Sequence, residues 1–216
     1  MQKIKIYGIA ASNYYSALKT ALLEKEIKFE EIPQFPSQEP GILTESPMGK
    51  IPFIEINGQF LSETNVIYDF LEETKTTPPL YPEDDFERAK TKQIIRAVEL
   101  YLDTPARRHL GAVVFGEDIN QVAVEEVKPA LEKGLDAFNR LAKFEPYVAG
   151  SSFTYADIAS YFHLGFVNFH TKKIYDWDIT ETYPDINNYL NFIGQRSSIS
   201  SVQAELEKQL MEIINN

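Results

Sequence analysis

Residues 46–64 read Ser46-Pro47-Met48-Gly49-Lys50-Ile51-Pro52-Phe53-Ile54-Glu55-Ile56-Asn57-Gly58-Gln59-Phe60-Leu61-Ser62-Glu63-Thr64. Two short runs, Phe53 to Ile56 and Gln59 to Leu61, flank Asn57-Gly58, the dipeptide suited to a two-residue hairpin whose central residues need positive φ. From Thr64 to Glu73 the apolar residues Val66, Ile67, Phe70 and Leu71 recur along one helical face. Ser62, Glu63 and Thr64 stand at the start of that helix, and taken alone they are a good cap. A helix start also offers unpaired N–H groups and the positive end of the dipole, a seat for a carboxylate. Glu63 beside it could pair an ammonium.

Upstream, Lys3-Ile4-Lys5-Ile6-Tyr7 alternates with period two and reads as a strand closed by Gly8. Leu18, Ala21 and Leu22 recur at helical spacing between Tyr14 and Lys25, and residues 27–32 alternate again. Residues 33–49 carry Pro33, Pro36, Pro40, Gly41, Pro47 and Gly49 and read mostly as loop. The order β-α-β, loop, β-β, α predicts an α/β half with a mixed sheet, ending at the linker-like Thr74-Lys75-Thr76-Thr77-Pro78-Pro79.

After Asp85 no strand is expected. Periodic segments near 86–114, 121–144, 154–170, 184–195 and 200–214 predict helices, with Pro105 bending or interrupting the first and Pro129 the second. Gly150-Ser151-Ser152-Phe153-Thr154-Tyr155-Ala156-Asp157-Ile158 carries a capping box: Thr154 caps the helix, Asp157 reaches back to the Thr154 N–H, and Phe153 and Ile158 form a hydrophobic staple. The expected division is residues 1–77 as the α/β unit and 86–216 as the all-helical unit, joined by 78–85.

The 216 residues hold 21 Lys plus Arg against 32 Asp plus Glu, a formal charge of −11. An acidic surface repels phosphate backbones and anionic lipid, so no nucleic-acid and no membrane partner is expected. The acidity divides between the halves, 7 basic against 11 acidic residues over 1–78 and 14 against 21 beyond. With no cysteine the chain cannot supply a thiolate of its own. No signal peptide or membrane-spanning run stands out, so a cytoplasmic location is expected. His163 and His170 are two helical turns apart, too far to share a metal; no metal site is expected. His109 is expected at the surface, and Trp177 in packing.

The Ser46–Ile54 stretch, the Leu61-Ser62-Glu63-Thr64 segment and the helix ending Tyr68-Asp69-Phe70-Leu71 resemble the glutathione-binding half of the cytosolic glutathione transferases. The Thr154–Asp157 box resembles the capping box of that family's helical domain, and the resemblance covers nearly the whole chain. It implies a thioredoxin-like N-terminal domain with a mixed four-stranded sheet, and a C-terminal helical bundle. Glutathione is then the co-substrate. Ile51 would pair its backbone with the cysteinyl part before Pro52, with Lys50 adjoining and the Ile51–Pro52 peptide cis. Glu63 and Thr64 would hold the γ-glutamyl end. The resemblance also implies a homodimer between the 60s–70s helix of one subunit and the 86–114 helix of the other, with Phe60 and Tyr68 contributing.

A thiol titrates near ~8.5 when unperturbed, so an enzyme using glutathione must stabilise the anion. Family subclasses do this with Tyr, Ser or Cys just after the first strand. Here Tyr7-Gly8-Ile9-Ala10-Ala11-Ser12-Asn13-Tyr14-Tyr15-Ser16, matched to the common bacterial pattern, puts Ser12 at the hydroxyl position, with Tyr7 the alternative. The family's usual proline is replaced by Ala10. An electrophile pocket is expected between this turn and the first long helix, from Tyr14, Tyr15, Arg107 and Arg108, with the core as the alternative place for the two tyrosines and Tyr101, His109 and Phe115 as further candidates. The expected activity is transfer of the glutathione sulfur to a soluble electrophile, or reduction of a hydroperoxide, as in detoxification. The alternative is a non-catalytic binding or regulatory relative.

Overall fold

β1 (Ile4–Gly8) sits inside a four-stranded sheet of order β2-β1-β3-β4. The computed structural model describes residues 4–75 and 77–215, so the Lys3 end of the expected first strand lies outside the described residues. β2 (Phe29–Pro33) runs parallel to β1, while β3 (Phe53–Ile56) runs antiparallel to it and pairs with β4 (Gln59–Ser62) across Asn57-Gly58. Both turn residues have positive φ, 53° and 78°, as the Asn-Gly pair requires. A parallel pair needs a crossover, and α1 (Asn13–Glu24) supplies it.

The alternation of β1 puts Ile4, Ile6 and Gly8 in the core and leaves Lys5 and Tyr7 half-buried on the opposite face. The loop expected over 33–49 contains a short helix, α2 (Pro40–Glu45), whose proline occupies the first turn; there a missing N–H costs nothing. α3 (Thr64–Thr74) closes this half. The Ile51–Pro52 peptide is cis, the isomer that the resemblance implies.

The helical half follows as α4 (Asp85–Val98), a π-helical turn (Glu99–Asp103), α5 (Thr104–Ala106), a 3₁₀ turn (Arg107–His109), α6 (Leu110–Val114), α7 (Gln121–Leu141), α8 (Tyr155–Tyr175), α9 (Ile179–Thr182), α10 (Pro184–Ile193) and α11 (Ser197–Ile214). Pro105 interrupts the first long helix as expected. It cannot donate to the Tyr101 carbonyl and its ring crowds that oxygen; the chain widens into a π turn just before it. Gly134 makes room on the other side, since a Cβ there would stand 2.4 Å from the Tyr101 oxygen. Pro129 does not interrupt its helix, because α7 runs unbroken through it.

The capping box forms. Asp157 Oδ2 accepts from the Thr154 N–H at 2.8 Å, and Thr154 Oγ1 accepts from the Ala156 N–H at 3.2 Å. Asp157 Oδ1 also accepts from the Val148 N–H and the Tyr189 hydroxyl.

The two halves share one apolar core, and a buried ion pair of the first half is bonded to the connecting segment and to the second. Lys25, fully buried at the end of α1, donates to Glu72 at 2.6 Å and to the Pro78 carbonyl at 2.9 Å. Glu72 in turn accepts from the Leu80 and Tyr81 N–H groups and from the Tyr155 hydroxyl. Tyr68, expected as dimer material, is instead 1% exposed and stacked on Tyr155 at 4.5 Å. Its place on the inner face of α3, beside Ile67 and Leu71, removes it from any surface. Among the described residues no helix is long and apolar enough to cross a membrane, and no group of three metal-ligating side chains gathers.

Candidate functional site

The turn after β1 delivers the first part of the site. Gly8 lets the chain pass against the Tyr15 ring, where a Cβ would come within 2.3 Å. Ser12 is the N-cap of α1: its N–H donates to Ile9 O, and its Oγ accepts from the Tyr15 N–H at 3.4 Å. Accepting uses a lone pair and leaves the hydroxyl proton to donate elsewhere. The turn is pinned by Ala11 N–H to Gln209 Oε1 at 2.9 Å and by Ser16 Oγ–H to Ala10 O at 2.9 Å.

Tyr7 is differently placed. Its hydroxyl donates to Glu55 at 2.6 Å, and Glu55 also receives Lys5 at 2.9 Å. Tyr7 pairs with Phe53 in register, and Glu55 lies two residues further along β3. The ring is stacked on Phe53 at 4.6 Å. Burial, then the bond to Glu55, pushes the Tyr7 phenol up to about 12.

The second part is the segment before β3. Gly49 adopts φ 63°, and Ser46 Oγ–H donates to Lys50 O at 2.7 Å, shaping the approach to Ile51. Ile51 lies just outside the β3–β4 ladder, and its backbone pairs with no described residue. Lys50 is exposed and Pro52 buried.

Glu63 is the N-cap of α3 at φ 69°, exposed, and its side chain makes no cap bond. The local reading of Ser62, Glu63 and Thr64 as a mere cap therefore fails: the Glu63 side chain makes no cap bond, and among the described residues no side chain accepts from the first N–H groups of α3. Thr64 is 7% exposed. Asn65, which the sequence reading passed over, donates to Glu99 at 2.5 Å, and its Oδ1 is buried without a partner among the described residues.

The expected electrophile pocket assembles only in part. Tyr14 meets His163 edge-on at 4.4 Å, and the Arg107 guanidinium lies 5.2 Å from the Tyr14 ring and 4.3 Å from that of Phe166. Tyr15 is a core residue, 3% exposed, whose hydroxyl donates to Glu31 at 2.6 Å; the open space at Gly8 draws the ring inward. Arg108 turns to Glu126 of α7 at 2.8 Å and does not join Tyr14. Tyr101 and Phe115 are exposed. An apolar cavity of about 240 Å³ opens one helical turn beyond Phe166, among Val113, Ile119, Phe169, Ile174 and Met211, with Lys173 at its edge.

His109 departs from expectation. His109 is 2% exposed and lies 2.7 Å from the Tyr175 hydroxyl; the 3₁₀ turn rotates it inward while its neighbour Arg108 faces solvent. His170 is 1% exposed, bonds Phe166 O through Nδ1 at 2.7 Å, and leaves Nε2 without a partner among the described residues. Burial, with Arg107 and His109 nearby, lowers it to about 4 despite that carbonyl and Asp103.

An unfolded histidine titrates near ~6.5, so the unfolded chain binds more protons between these values. His170 thus contributes stability that is present above pH 6.5 and lost as pH falls toward 4. Wild type should lose about 2 kcal/mol from this residue between pH 7 and pH 5. His170→Leu should lack that loss in denaturant titrations at the two pH values. Asp157, raised to about 6 by burial against the bonds it accepts, works in the opposite direction, so the wild-type-minus-variant difference is the quantity to read. An identical difference at both pH values would remove His170 from the account.

Residues 6–79 match the family model described as glutathione S-transferase, N-terminal domain, and residues 121–191 match its C-terminal domain. A glutathione S-transferase of Pseudomonas putida is 35% identical over 99% of this chain and 98% of its own. Glutathione S-transferase U1 of Arabidopsis thaliana is 23% identical over 97% and 92%. Among solved structures, glutathione transferase E6 of Drosophila melanogaster superposes with a TM-score of 0.80 at 21% identity, covering 98% of this chain and 96% of that one. Glutathione transferase F2 of Populus trichocarpa gives 0.80 at 21% over 95% and 99%. With its thioredoxin-like sheet, its helical half and a relative this similar along its full length, the chain belongs to the glutathione S-transferase family of enzymes.

Proposed function

We propose that the chain binds glutathione across Ile51-Pro52 and the start of α3, and that Ser12 stabilises the thiolate for attack on a soluble electrophile or a hydroperoxide. The observation that carries this reading is the division of labour between two hydroxyls. Ser12 accepts from the Tyr15 N–H and keeps its hydroxyl hydrogen free to donate, whereas the Tyr7 hydroxyl already donates its hydrogen bond to Glu55. A hydroxyl that donates to sulfur favours only the anion and so lowers the thiol pKa. The N-terminus of α1 adds its dipole in the same sense.

In this reading the open backbone of Ile51 pairs with the cysteinyl unit, with Lys50 beside it. The uncapped N–H groups at Thr64 receive the γ-glutamyl carboxylate, and Glu63 its ammonium. Tyr14 and Arg107 form the wall toward the electrophile. Catalysis is anion stabilisation plus proximity. Residues 1–77 hold glutathione and 86–216 the second substrate, in a cytoplasmic homodimer. The exposed Phe60, Val66, Leu100 and Tyr101 supply apolar surface for that dimer on α3, β4 and the first long helix.

Retention on immobilised glutathione, followed by turnover of an activated aryl chloride, tests the reading. Both are expected. Retention without turnover of either the aryl chloride or cumene hydroperoxide would make the chain a binding protein, and no retention would overturn the site.

A further inference from the structure

Asn13, immediately after Ser12, is 3% exposed and has its amide fully engaged by the helical half. Its Nδ2 donates to Asp103 Oδ2 at 2.6 Å and lies 2.9 Å from His163 Nδ1; its Oδ1 accepts from an Arg107 terminal nitrogen at 2.8 Å. Asp103 is completely buried. Arg107 holds it through Nε at 2.8 Å and a terminal nitrogen at 3.0 Å, and His163 Nδ1 stands 2.9 Å away. Burial alone would raise the Asp103 carboxyl, but the His163 ring and the Arg107 guanidinium outweigh it and hold it well below the carboxylate range.

Asp103 is therefore compensated without Asn13, by a bidentate arginine and an imidazole. The helix start is capped without Asn13 too, because Ser12 does that. What the amide adds is a rigid tie between the first residue of α1 and the π turn that ends at Asp103. Ala11, on the other side of Ser12, is tied by its N–H to Gln209 of α11. The serine thus stands between two anchors that both belong to the helical half.

We propose that Asn13 is a positioning residue for Ser12, with the buried Asp103–Arg107 pair as the fixed point from which it acts. The inference rests on the proposed role of Ser12 in stabilising the thiolate. A side chain that only packs would affect folding stability and leave the ionisation of bound glutathione alone. One that places the donor would move that ionisation, and would do so only while the donor is present.

The test is a double-mutant cycle of Ser12→Ala and Asn13→Ala on the full chain. Its readouts are thiolate absorbance of bound glutathione against pH, glutathione affinity, and kcat with an activated aryl chloride. Asn13→Ala should lower kcat roughly 10- to 100-fold, the scale of a misplacement near 1 Å, raise the apparent pKa of the bound thiol, and keep affinity within a few-fold. In the Ser12→Ala background it should change neither kcat nor the titration, since residues that act through one another are not additive. Asn13→Leu, similar in size but without the amide, serves in place of the alanine variant if that one does not fold.

An unmoved thiol titration in Asn13→Ala, with Ser12→Ala shifted, would overturn the inference and leave the Ser12 reading standing. Additive effects on kcat would overturn it as well. An unmoved titration in Ser12→Ala itself would remove the Ser12 reading, and the inference with it.

Discussion

Ser12→Ala should cut turnover by roughly 10- to 1,000-fold, the range expected when one donor to a developing anion is removed, while glutathione affinity stays within a few-fold. The separation follows from the geometry. Affinity is assigned to Ile51, Glu63 and Thr64, none of which hydrogen-bonds Ser12 among the described residues, and the hydroxyl is assigned to the sulfur alone. The apparent pKa of the bound thiol should rise with the loss, because the hydroxyl favours only the charged form. Loss of the N-cap is a separate effect, of about 1 kcal/mol or less given a cap bond as long as 3.4 Å, and thermal melting measures it independently. Ser12→Thr keeps hydroxyl and cap and should keep most of the titration. Tyr7→Phe should leave the thiol untouched, since the Tyr7 hydroxyl donates its hydrogen bond to Glu55. A wild-type titration curve in Ser12→Ala would reduce Ser12 to a helix cap.

The second large effect concerns stability. Glu72→Gln should destabilise the chain by about 3–5 kcal/mol, because it leaves the fully buried Lys25 ammonium without its counter-charge. For a chain of this length that corresponds to a fall in Tm of roughly 10 °C. The glutamine still offers one oxygen to the Leu80 and Tyr81 N–H groups, so the loss reports the charge more than the hydrogen bonds. Lys25→Met with Glu72→Gln should recover a large part of it, since removing both charges can be nearly neutral. A single variant that melts with wild type would mean that water or another group reaches Lys25.

The parts of this molecule that could be read from sequence are those specified over a few neighbouring residues. Asn57-Gly58 fixes a turn through its own φ preferences, and Thr154 and Asp157 form their box within one helical turn. The β1 alternation and the α3 stripe likewise follow from local period. Glu63 and Thr64 were visible as a helix start, although the structure was needed to show that the glutamate does not cap.

Long-range placement hid the rest. Asp103 and Arg107 are four residues apart and readable as a pair, but nothing near Asn13 announces that both will meet it some ninety residues away. His109 lies beside two arginines and reads as surface; the 3₁₀ turn that follows the Pro105 interruption turns it inward. Tyr15 reads as pocket or core, and the missing side chain of Gly8, which admits its ring, decides for the core. α2 was masked by Pro40 and Gly41, residues that a first helical turn tolerates.

The left-handed backbone of Glu63 carries an evolutionary cost. A residue with a side chain held at φ 69° gives up roughly 1–2 kcal/mol that glycine would not, and no cap bond offsets it. Glu63→Gly would be selected in any screen for heat resistance that does not also ask for glutathione. On the proposed role of this carboxylate the same change discards the ammonium partner. Fitness at position 63 is therefore a compromise between robustness and recognition, and sequences freed from the second demand should drift to glycine.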